Sequence, residues 1–260
     1  MKSGRDATRR NRNIGTAKRG HGQNNRLVIP TRWHPDLTIY YQNLGKYRNV
    51  SRDVGGHPIT FLVEETRAGC YHACTPDDII HVLRFVAPSD LKGIELIVLR
   101  QPKRKEEALS GVWGRWASSV EIDGYSGSAV FLEAADIANP IRWPKSLAPD
   151  QQMELERLRG DGHTITTTKR YHIISLSLAS VRSTQLYRTL IHEIGHHVDY
   201  SQDRGKFTVK LASEKETFAH RYADDLRTEL RKRRLIPFER IISAEQLKED
   251  KLRISDFEAT

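Results

Sequence analysis

The stretch Leu186–Asp203, LYRTLIHEIGHHVDYSQD, constrains this chain more than any other part of it. Leu186, Leu190, Ile194 and Val198 recur at every fourth position. That spacing makes a single apolar stripe along a helix and predicts a helix over 183–200 whose stripe is buried. The same stretch places three of the chain's eleven histidines within 192–197. His192 and His196 are four residues apart, hence about 40° apart around a helix axis, and project from one face. The fold must therefore bury the stripe and leave both imidazoles able to meet one metal ion.

The rest of the pattern predicts the layers around this helix. DLTIYY (36–41) and PITFLVEE (58–65) are rich in β-branched and aromatic residues and are expected to be strands. A helix is expected to begin at Thr75, with Thr75 as cap, Pro76 in the first turn and Asp77 and Asp78 at the positive end of the dipole. IELIVLR (94–100) reads as a buried strand. SGVWGRW, SSVEIDG and GSAVFLEA, separated by glycines, suggest an antiparallel meander. The proline-rich NPIRWPKSLAPDQQ is expected to be a loop, and RYHIISLSLA (170–179) a strand near the edge of the sheet. A second long helix is expected over 213–234, with a basic last turn before Pro237. No internal repeat is present. The expectation is an α+β domain with a mixed or antiparallel sheet and two long helices. It would span 28–260, have its core at about 75–235, and follow a basic, disordered tail over 1–27.

Charge separates tail from body. Of the net charge of +9, residues 1–26 contribute +7 through eight Lys or Arg and Asp6. A basic arm of this kind condenses on phosphates, so nucleic acid is an expected weak partner, although the arm has no aromatic residue for stacking on bases. The longest apolar run, Ile94–Leu99, is too short to cross a bilayer, and no secretory signal follows the charged N-terminus. Two cysteines argue against a disulfide-built scaffold. The expected location is the cytoplasm, with signal-less export leaving the same signature. Cys70-Tyr-His72-Ala-Cys74 offers three metal-binding side chains, but a structural zinc takes four. Reduced, partly buried thiols are the expectation there.

His192-Glu193-Ile194-Gly195-His196 is H-E-x-x-H, a pattern in which two helix-borne histidines hold zinc and the glutamate acts on a water. A catalytic zinc takes three protein ligands and keeps a fourth position open. One class of metalloprotease finds the third ligand in H-E-x-x-H-x-x-G-x-x-H/D. Here those positions hold Asp199 and Gln202, so the ligand must lie further on. Glu214 and Glu216 are the choices on the next helix. Glu216 shares its face with Ala219, His220 and Ala223, whereas Glu214 shares its face with Phe218 and Tyr222. A ligand-bearing face must approach the first helix closely, and small residues permit that, so Glu216 is favoured.

HEIGHHVDY followed by SEKETFAHRYADDL resembles the gluzincin zinc metallopeptidases, especially the small gluzincins and the lethal-factor-type protease domains; the resemblance covers about 183–226. It implies a zincin-like fold, one zinc held by His192, His196 and Glu216, and Glu193 as general base. It also implies a protein or peptide substrate lying along an edge strand, here HIISLSL. His220 stands where such proteins often carry an acid. Asp199 and His220 are expected to orient the ligands by hydrogen bonding. Tyr171, His172, Tyr200, His220 and Tyr222 are the residues able to steady an oxyanion, with Tyr200 and Tyr222 foremost. The competing expectations are a zincin-fold binding protein without turnover, and a protease brought to nucleic acid by its arm.

Overall fold

The computed structural model of the chain describes residues 40–104, 106, 107 and 112–258. The basic segment 1–27 lies outside them. So does most of the strand expected over 36–41, whose last two residues belong instead to a 3-10 turn, Tyr40–Gln42.

The described chain is α+β with a mixed sheet. β1 (Tyr47–Val54) and β2 (His57–Glu64) form a hairpin. It turns on Gly55 and Gly56, both at positive φ (61° and 88°), a conformation glycine adopts without steric cost. The short β3 (Cys70–Tyr71) precedes α1 (Pro76–Leu83). α1 begins as the sequence implies: Thr75 accepts from the Asp78 amide, and the Asp78 carboxylate accepts from the Thr75 amide. The one-turn α2 (Pro88–Leu91) leads into β4 (Ile94–Arg100), then β5 (Gly114–Ile122) and β6 (Tyr125–Glu133).

The strand order is β1-β2-β4-β6-β5. β2, β4 and β6 run parallel, and the two outer pairs are antiparallel. β4 is central and covered on both faces, which is why it reads as a nearly unbroken apolar run. Ile97, Leu99, Val130 and Leu132 face the helices, while Leu96, Val98, Ala129 and Phe131 face a smaller cluster with Tyr41, Leu44 and Tyr125. The two segments expected as separate strands around 110–124 form one strand, β5, with a bulge between Ala117 and Val120. β5 is an edge of this sheet.

β7 (Ala135–Asp136) pairs with β3. The expected proline-rich loop then proves to hold β8 (Ile141–Pro144) and the start of α3 (Pro149–Gly160). β8, β9 (Thr164–Thr167) and β10 (Tyr171–Ser175) make a second sheet of order β8-β10-β9. Ile141, Trp143, Ile165 and Ile174 pack with Leu155 and Leu158 of α3 beneath it. β10 is therefore paired on both sides and is not an edge strand, contrary to expectation. It also ends at Ser175, four residues short of the expected 179, because Ser177 caps the start of α4 (Leu178–Thr184).

Among the described residues no helix is long and apolar enough to cross a membrane. Asp78, fully buried, takes hydrogen bonds from Arg182 and from the Ile241 amide, and so ties α1, α4 and the C-terminal segment together.

Cys70, His72 and Cys74 do not converge on a metal. Both cysteines are free and buried. Cys74 Sγ lies 3.7 Å from Gln185 Oε1, and the His72 ring bonds the Glu64 carbonyl at 2.8 Å. Burial pushes the His72 imidazole down to about 4. The unfolded chain, with an ordinary value near 6.5, then binds a proton that the folded chain refuses between about pH 6.5 and pH 4. Stability falls as pH falls through that window, by about 3 kcal/mol at its lower end. His72→Gln keeps a donor for Glu64 and removes the titration. Denaturant melts are expected to show a shallower loss of stability from pH 6.5 to 4 in the variant, and an unchanged slope would contradict this.

Candidate metal centre

The two histidines sit on a helix that is longer than its periodicity suggests. α4 runs without a break into a π turn, Gln185–Thr189, and then into α5 (Leu190–Gln202). π turns insert a residue and are common beside functional sites. This one is fixed from outside: Gln185 Nε2 donates to the carbonyls of Glu133 (2.7 Å) and Trp113 (3.0 Å), pinning the helix to the sheet. Leu186, Leu190, Ile194 and Val198 are all buried in the main core.

After α6 (Arg204–Val209) the chain returns along α7 (Ala212–Lys232), which packs on α5. The packing is close at Gly195. A Cβ built there would lie 3.0 Å from Ala219 Cα, 3.1 Å from Ala219 O and 3.2 Å from Tyr222 Cβ. Ala219, Ala223 and Leu230 are buried along one side of α7, and Glu216, about four turns before Leu230, lies on that same side and reaches α5. Alanine at 195 would improve helix propensity by up to about 1 kcal/mol, yet its methyl group meets backbone that cannot rotate away. Gly195→Ala is therefore expected to cost about 1–3 kcal/mol and to weaken metal binding by moving Glu216 outward. Thermal melts and a zinc titration check this, and a more stable variant with undiminished affinity would contradict it.

Three ligand side chains converge. His192 Nε2 and His196 Nε2 are 3.1 Å apart, Glu216 Oε2 lies 3.3 Å from His192 Nε2, and Glu216 Oε1 lies 3.4 Å from His196 Nε2. Ligands about 2.05 Å from a tetrahedral zinc are separated by about 3.3 Å, so the pairwise spacings in this triangle of side chains are those of neighbouring ligands on one such ion. The donor set, two imidazoles and a carboxylate, is also the chemistry zinc takes. Hydrogen bonds from His192 and His196 hold the Glu216 carboxyl well below the usual carboxylate range. Glu214 points elsewhere: it accepts the Leu211 amide at 2.8 Å at the start of α7.

Glu193 is buried beside the triangle, and burial pushes its carboxyl upward against the pull of His192 and His196. Its Oε2 accepts the Trp116 amide of β5 at 2.7 Å. Trp116 is the residue that sequence reasoning missed, since a backbone donor leaves no mark on side-chain identity. Its indole donates to Ser128 Oγ (2.7 Å), which meets His197 Nδ1 (3.2 Å), and His197 Nε2 donates to the Lys92 carbonyl (2.9 Å). His197 thus ties α5 to the sheet and faces away from the triangle.

The remaining candidates are placed as follows. Asp199 bonds neither ligand histidine: its Oδ1 pairs with Lys210, and among the described residues its buried Oδ2 and the buried His192 Nδ1 have no hydrogen-bond partner. Tyr200 packs its ring on Trp116 (5.2 Å) and Phe207 (5.4 Å). Tyr222 donates its hydroxyl to Asp90 at 2.8 Å. Tyr171 is exposed, and His172 bonds Thr167 Oγ1 at 2.9 Å. The ring of His220 lies 4.5 Å from that of His192, and a ring nitrogen of His220 falls within 4.8 Å of ligand atoms of both His192 and Glu216. A separate cavity of about 900 Å³ lies beside the start of β5, lined among others by Trp113, Trp143, Arg67, Arg115 and Arg142 and by none of the triangle residues.

No protein-family model matches this chain, and comparison with curated proteins and with solved structures returns no match.

Proposed function

We propose that the chain is a zinc-dependent metallopeptidase of the gluzincin kind, with a zincin-like domain built around α5 and α7. The observation that carries this reading is the convergence of His192, His196 and Glu216, whose ligand atoms lie 3.1–3.4 Å apart pair by pair, a spacing that suits one zinc per chain. When bound there, zinc would lower the pKa of a water to about 7 and polarise a peptide carbonyl.

The chain's own residues supply the rest. Glu193 takes the proton from the attacking water and passes it to the leaving amine. The Trp116 amide, donating to Oε2 at 2.7 Å, keeps the carboxylate aimed. β5, the edge strand next to this carboxylate, is the natural place for an extended substrate to add to the sheet, in place of the doubly paired β10. A binding protein without turnover would have no use for a buried carboxylate held in this way, which favours hydrolysis.

The test is an unbiased cleavage profile of a cell lysate. New protein N-termini are expected with the zinc-loaded chain, to vanish with chelator and to return on adding zinc. Identical N-termini in all three samples would refute the reading.

A further inference from the structure

We propose that the cavity beside the start of β5 is a second binding site, separate from the metal centre, and that it takes a small aromatic anion: a planar ring carrying a carboxylate or a phosphate. The cavity, of about 900 Å³, is large enough to enclose a drug-sized ligand. The proposal goes beyond the metallopeptidase reading and does not depend on it.

Topology puts the cavity where ligands gather. β2, β4 and β6 run parallel, so their carboxyl ends lie along one edge of the sheet. Arg100 ends β4 and Glu133 ends β6, and both line the cavity, as does Arg67, three residues past the end of β2. The crevice outside the carboxyl ends of parallel strands is the usual place for a ligand in such sheets. The walls suit a flat ring: Trp113 and Trp143 line the cavity, and both are held in place by packing on the cluster of Leu155, Leu158 and Ile174.

The charges select an anion. Each acid of the wall is already engaged. Glu133, buried, meets Arg100 at 3.0 Å and Arg115 at 3.5 Å. Glu106 pairs with Arg100 and Glu107 with Arg67, while Asp136 accepts from the Ala138 amide (3.2 Å) and from Asn139 (2.7 Å). Arg104 and Arg142 also line the cavity, are exposed, and form no ion pair with another described residue. The wall therefore holds two guanidinium groups without a carboxylate partner, and guanidinium binds carboxylate or phosphate through paired N–H donors.

The experiment is a calorimetric titration of the full chain, with added zinc and again with chelator. 1-Naphthyl phosphate and 1-naphthoate combine ring and anion and separate the two headgroups; 1-naphthol and inorganic phosphate carry one feature each. At least one combined probe is expected to bind about tenfold or more tighter than either single-feature probe, equally with zinc and with chelator. The double variant Arg104→Gln, Arg142→Gln, at two exposed positions, is expected to weaken that probe about tenfold or more and to leave 1-naphthol within about twofold. Trp143→Ala is expected to weaken every ring-bearing probe about tenfold, and Trp143→Phe, which keeps a ring, to restore most of the loss. A combined probe that does not bind at millimolar concentration in either form overturns the proposal. So does 1-naphthol binding as tightly as the anions, or a double variant that binds them as wild type does, since the cavity would then be merely apolar. An affinity that disappears with chelator overturns it as well, by placing the anion on the metal. Failure of the chain to take up zinc defeats the metallopeptidase reading and leaves these expected affinities as they are.

Discussion

Glu193→Gln is expected to keep its zinc and to lose peptide hydrolysis by about 10³- to 10⁴-fold. The amide is the same shape as the carboxylate, and its oxygen still accepts the Trp116 amide, so the triangle of His192, His196 and Glu216 is undisturbed. What disappears is the buried carboxylate beside that triangle, the group that takes the proton. Because Glu193 is buried and its carboxyl is pushed upward by burial, a neutral replacement also relieves desolvation, and the variant is expected to melt no lower than wild type. Loss of activity together with loss of metal would make Glu193 structural, and undiminished turnover would remove it from the mechanism.

Glu216→Gln and Glu214→Gln form the second test, because the two residues are two apart on one helix and have unrelated partners. Glu216 supplies the only negative charge in the triangle, and neutralising it is expected to weaken zinc binding by about 100-fold or more, measured by competition with a chelator. Glu214 accepts the Leu211 amide, and its replacement is expected to loosen the first turn of α7 by about 0.5–1 kcal/mol while changing zinc affinity less than twofold. Equal effects on affinity would mean that α7 as a whole, rather than the Glu216 carboxylate, governs the metal.

The parts of this molecule legible in the sequence are those fixed by local rules. The stripe through Leu186, Leu190, Ile194 and Val198 and the Thr75 cap are examples: each follows from a helical period or a cap and is present in the structure. The choice between Glu214 and Glu216 rested on Ala219 and Ala223 as small residues, and Ala219 is where Gly195 makes its close contact. What escaped is held by distant partners. β8 was hidden in a proline-rich segment because Ile141 and Trp143 gain their stability from Leu155 and Leu158, not from their neighbours. β10 could not be recognised as a central strand because its partners β8 and β9 were not legible. Asp199 was matched to the nearest histidine on its own helix, but its partner is Lys210, brought back by the α6 turn. The Trp116 amide, which holds Glu193, belongs to the backbone and was beyond any motif.

Metal content tests the central claim most directly. The full chain, purified without chelator and dialysed against metal-free buffer, is expected to retain one zinc per chain by elemental analysis, and the double variant His192→Ala, His196→Ala is expected to retain almost none. A wild-type chain that carries no zinc and takes up none from micromolar zinc, or a double variant that keeps its full complement, would contradict the account.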